Sequence, residues 1–86
     1  MIQYKEVTEM VPISYIDFGN GNKFKYSEFY NILEELWSTE TYFEHILIYN
    51  DKLEEFLLEN EVIKKTIRGS VCKGPKYNEW SEHFGI

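Results

Sequence analysis

The side chains best suited to chemistry are few in these 86 residues: one thiol, Cys72, and two imidazoles, His45 and His83. A thiolate nucleophile needs a histidine base and a third group to orient it. Lys and Arg neighbours favour the Cys72 thiolate, but nothing near it in sequence supplies a base. A zinc or haem site needs ligands at short spacings, and no two of these three residues stand at one. The neighbouring carboxylates Glu34-Glu35 and Glu54-Glu55 point to different angles of a helix, so they form no acid/base dyad. Gly19-Asn20-Gly21-Asn22 lacks the later Gly and the Lys-Ser/Thr of a phosphate loop, and it leads into a strand where those motifs open a helix. Glu61 with Lys64 has no Asp-bearing partner motif to complete a nuclease core. The expectation is a non-enzymatic protein with no catalytic residue, metal site or cofactor.

Charge is the stronger signal. The formal net charge is −6, which opposes nonspecific attraction to phosphate backbones and anionic membranes. Residues 26–61 hold ten acids and one base, Lys52, for a net of −9. Residues 62–76 hold five bases and no acid: Lys64, Lys65, Arg68, Lys73 and Lys76. A chain divided in this way can steer and orient toward complementary surfaces. Carboxylates along helices can also imitate phosphate spacing and occupy a partner's basic groove. Aromatic residues make up 17% of the chain, more rings than so small a core can hide, and such rings are enriched at interfaces.

The elements that must position these groups follow from periodicity. Ile13–Phe18 and Lys23–Tyr26 alternate around the Gly-Asn break and read as a hairpin. A three- or five-residue loop pairs Ile16 with Phe24, Ser14 with Tyr26 and Asp17 with Lys23, which gathers one apolar face. Ser27 suits an N-cap before Phe29, Ile32, Leu33, Leu36 and Trp37 at helical spacing. Thr41 with Glu44 opens a second helix by a capping-box pattern, placing His45 at its edge. Asp51 with Glu54 opens a third, burying Leu53, Phe56 and Leu57 and ending near Asn60. Val62–Arg68 and Val71–Lys73 form a second hairpin turning at Gly69-Ser70. Pro75 then starts a short helix carrying Tyr77, Trp80 and Phe84. Ile2–Val7 reads as an edge strand.

The fold expected is a small α+β single domain over residues 1–86: an N-terminal β-hairpin, three short helices, a second β-hairpin and a short C-terminal helix, with the strands sharing one sheet. That order resembles a winged helix-turn-helix, but the third helix carries four acids and one base, the wrong charge for a DNA groove. No apolar run is long enough to span a membrane and no secretory signal opens the chain, so a cytoplasmic setting without membrane contact is expected. The absence of Ala and the single Arg mark an AT-rich genome, of a low-GC bacterium or its phage.

Together these features point to an interaction module: a small acidic anti-defence-type inhibitor or regulator from a phage or mobile element, acting as a nucleic-acid mimic. Its partner would be a host protein with a basic nucleic-acid-binding surface. The residues expected to meet it are Glu34, Glu35, Glu54, Glu55, Glu59, Trp37 and Tyr42, with Tyr30, Tyr49 and Trp80 as further exposed rings. One alternative is a winged-helix-like nucleic-acid-binding regulator using the basic hairpin. Another is a structural or assembly subunit whose rings build a homo-dimer or larger oligomer.

Overall fold

The computed structural model describes residues 2–10, 13–38 and 48–86. Its first unit is a three-stranded antiparallel sheet in the order β1 (Lys5–Met10), β2 (Ile13–Asp17), β3 (Lys23–Lys25). The β2–β3 register is the one that alternation and charge require: Ile16 faces Phe24, and Asp17 faces Lys23. The loop is residues 18–22. It closes through Phe18 N–H donating to Asn22 O (2.9 Å) and Asn22 N–H donating to Gly19 O (2.9 Å). Gly19, Asn20 and Gly21 all have positive φ, a conformation that glycine takes freely and asparagine tolerates. The edge strand begins at Lys5 instead of Ile2, because Ile2 and Tyr4 turn in to pack on the core.

Strand β3 runs directly into helix α1 (Tyr26–Ser38), so Ser27 lies inside the first turn and is not the cap. Phe29, Ile32, Leu33 and Leu36 are buried as their spacing dictates, while Trp37 is 61% exposed. In helix α2 (Asp51–Glu59) the cap is Asn50, one residue earlier than expected: its side chain accepts from Leu53 N–H at 3.1 Å. Asp51 and Glu54 then stand in the first turn, where the helix dipole favours acids. The helix expected from Thr41 lies outside the described residues.

The last part is a ribbon, β4 (Ile63–Lys65) and β5 (Val71–Lys73), followed by α3 (Tyr77–His83). The ribbon is a separate two-stranded sheet, contrary to the expectation of one shared sheet. Its backbone groups bond at its base to the α2–β4 corner: Gly74 N–H donates to Val62 O (2.8 Å) and Lys76 N–H to Glu61 O (2.9 Å). The turn spans Thr66–Ser70, and the helix starts at Tyr77, two residues after Pro75.

Helices α2 and α3 end alike. Val62 N–H donates to Leu57 O and Glu61 N–H to Leu58 O; Ile86 N–H donates to Ser81 O and Gly85 N–H to Glu82 O. Both are Schellman ends, which need a left-handed residue after the cap. Gly85 fills that place in α3, whereas Glu61 (φ 60°) fills it in α2.

The core gathers Ile16 and Phe24 from the sheet, the apolar faces of α1 and α2, and Val62, Ile63, Val71, Tyr77, Trp80 and Phe84. Phe18, itself partly buried, packs against it with ring centroids 4.4 Å from Phe56, 5.4 Å from Phe29 and 5.7 Å from Trp80. Trp80, expected at the surface, is only 5% exposed. Tyr77 crosses the core, and its hydroxyl donates to Leu33 O at 2.6 Å.

Candidate interaction surfaces

The outward side of α1 has two flanks. Tyr26, Tyr30 and Trp37 are spaced by four and seven residues and share one of them, where the Tyr26 and Tyr30 rings stack with centroids 6.0 Å apart. This explains why Trp37 leaves the buried stripe: its position is at the border of that stripe, and the tyrosines there are only half-buried too. Burial, with the Glu6 carboxylate adding to it, raises the Tyr26 phenol above its ordinary 10.0.

On the other flank a shallow groove of about 230 Å³ is lined by Glu28, Asn31, Ile32, Glu35, Ile48 and Tyr49. Tyr49 is 90% exposed at its rim. Glu28 accepts from Asn50 Nδ2 at 3.2 Å, which joins the start of α1 to the cap of α2. Glu34 and Glu35 are exposed on α1, and neither forms an ion pair among the described residues. Glu55 and Glu59 are likewise exposed on α2. Tyr42 lies outside the described residues, as does His45.

Glu54 differs from its neighbours. Its side chain is 14% exposed and accepts from Lys65 Nζ of the ribbon at 2.9 Å. That hydrogen bond, and then the carboxylate's charge, raise the Lys65 ammonium above its ordinary 10.5. Lys76 Nζ lies 3.6 Å from Glu61 at the other end of the ribbon. Lys73 Nζ stands 5.3 Å from the centre of the Tyr77 ring. Lys64 and Arg68 are exposed, and Ile67 beside Arg68 at the ribbon's tip is fully exposed. Cys72 is buried on β5.

A second set of cations escapes a linear reading. Lys5 comes from β1 and Lys23 and Lys25 from β3, and the sheet register brings all three to the face opposite Ile16 and Phe24. The signal was present: any register that buries Ile16 and Phe24 must turn Lys23 and Lys25 outward.

Among the described residues no group of three or more His, Cys, Asp and Glu could hold a metal ion, and no helix is long and apolar enough to cross a membrane. No family model, curated protein or solved structure matches this chain.

Proposed function

We propose that this is a non-enzymatic protein-interaction module whose outward α1 and α2 surface binds a basic surface on another protein, in the manner of a small inhibitor or regulator from a phage or mobile element. What carries this reading is the acidic and aromatic surface of α1, whose Glu34 and Glu35 form no ion pair among the described residues: Glu34 is exposed on the flank that bears Trp37, and Glu35 is exposed in the groove on the other flank, with Tyr49 at its rim. Exposed rings contribute contact area at small entropy cost, and surrounding carboxylates steer a cationic partner into register. Glu55 and Glu59 extend the same sign of charge along α2. A partner built to bind nucleic acid has the complementary surface.

Charge reversal tests this reading. Immobilised wild-type protein and the Glu34→Lys/Glu35→Lys variant are exposed to a low-GC bacterial lysate at two salt concentrations, and bound proteins and nucleic acids are identified. The reading expects a captured protein that nucleic acid displaces, that salt weakens and that the variant loses. Capture indifferent to both reversal and salt would overturn it.

The winged-helix-like alternative draws on one observation: the ribbon projects a tip of Ile67 and Arg68 beyond a basic stem. An apolar residue flanked by cations can wedge into a minor groove. Against it, Lys65 and Lys76 are engaged with Glu54 and Glu61. A duplex-DNA mobility shift that Arg68→Glu abolishes would favour it; no shift at low salt would end it.

A further inference from the structure

We infer that the outer face of the β1–β2–β3 sheet binds single-stranded nucleic acid, at a site separate from the α1 surface. The register sets Lys5, Asp17 and Lys23 in one row across the three strands and Val7, Tyr15 and Lys25 in the next. Ile13 continues the same face along β2, since alternate residues of a strand share a side. Ile16 and Phe24 are buried on the other side, so these rows face away from the core. Lys5, Lys23, Lys25 and Ile13 are exposed, and Val7 and Tyr15 are half-buried between them. Lys23 Nζ lies 4.8 Å from the centre of the Tyr15 ring. Asp17 is the one acid in the two rows, and its Oδ1 already accepts from Gly19 N–H at 2.8 Å within its own loop.

The mixture of groups selects the ligand. Lysines alone would suit any polyanion. An aromatic ring and two aliphatic side chains set among lysines also offer bases something to stack and pack on, which is how sheet platforms hold unpaired strands. Lys23 and Lys25 stand about 7 Å apart along β3, close to the separation of successive phosphates in an extended strand. A duplex would present only its backbone to so flat a face, leaving Tyr15 unused.

The net charge of −6 does not forbid this. Helix α1 packs on the inner face of the sheet, so its outward acids lie beyond a helix diameter of about 10–12 Å. At physiological salt, interactions over more than about 8 Å are largely screened. Three lysines give a modest salt dependence, a log–log slope of about −2.

The test is a fluorescence-anisotropy titration of a short labelled oligothymidine with the full chain at low salt. The wild-type protein binds; Lys23→Glu/Lys25→Glu weakens binding by about tenfold or more, and Tyr15→Leu weakens it several-fold. Lys64→Glu/Arg68→Glu leaves it unchanged. Thermal unfolding verifies that each variant is folded, and Lys5→Gln/Lys25→Gln replaces the charge reversals if those unfold. Absence of wild-type binding, equal loss from the ribbon variant, no effect of Tyr15→Leu, or equally good competition by oligoglutamate would each overturn the inference. The α1 reading is tested apart from it, because Glu34→Lys/Glu35→Lys leaves oligothymidine binding intact and Lys23→Glu/Lys25→Glu leaves protein capture intact.

Discussion

Helix α1 and the β4–β5 ribbon both bring charge to the surface, but they are held differently. On α1 the acids at positions 34 and 35 have no ion-pair partner among the described residues, and Trp37 on the same helix faces solvent. On the ribbon, Lys65 reaches Glu54, Lys76 reaches Glu61 and Lys73 lies over Tyr77. Two of the ribbon's cations, Lys65 and Lys73, are thus set against α2 and α3, whereas Glu34 and Glu35 on α1 make no such contact among the described residues. A run of one sign in the sequence has a different meaning according to whether the fold returns the opposite sign to it.

The ribbon is most sensitive to substitution at its base. A Cβ on Gly74 would stand 2.4 Å from Glu61 O and 2.9 Å from Ile63 N, both backbone atoms. Gly74→Ala should therefore cost about 2–3 kcal/mol, read by denaturant unfolding; an unchanged midpoint would show that the close approach does not hold the ribbon.

Tyr77 gives the next largest effect. Replacing it with Phe removes the buried bond to Leu33 O and should cost about 1 kcal/mol. Burial raises the Tyr77 phenol above 10.0, with a smaller lowering from the Ser81 hydroxyl. Folding thus favours the neutral phenol: this stability is fully present below pH 10.0 and is lost as pH rises through the higher folded value. Stability measured above pH 10 should fall less steeply in Tyr77→Phe than in wild type.

Glu54→Gln should produce a smaller loss that added salt diminishes, because Lys65 is half exposed. Glu34→Lys/Glu35→Lys should change stability by no more than about 0.5 kcal/mol while removing partner capture. A large stability loss in that variant would mean that these acids hold the fold after all.

Much of this was legible from residues alone. The β2–β3 register followed because only one pairing puts Ile16 on Phe24 and also sets Asp17 against Lys23. The four buried positions of α1 followed from helical spacing. Trp37 shares that spacing yet was expected among the exposed rings, and it is exposed; spacing alone does not decide a ring at the border of an apolar stripe. Trp80 was expected outside and lies inside, since the shared spacing of Tyr77, Trp80 and Phe84 marks a buried face without saying how deep. The number of sheets was illegible because alternation identifies a strand and not its partner. The division of charge was visible in the sequence, but its pairing across the ribbon was not: contacts such as Lys65 with Glu54 depend on how the chain turns back at Glu61.

On the proposed function, α1 presents its acids and Trp37 to a protein partner and the ribbon does not. Site-specific photo-cross-linking tests it most directly, with p-benzoylphenylalanine placed at Trp37 in one variant and at Ile67 in the other, each irradiated in a low-GC bacterial lysate. The account predicts a discrete protein adduct from position 37, reduced by Glu34→Lys/Glu35→Lys, and none from position 67. An adduct formed only from position 67 would contradict it.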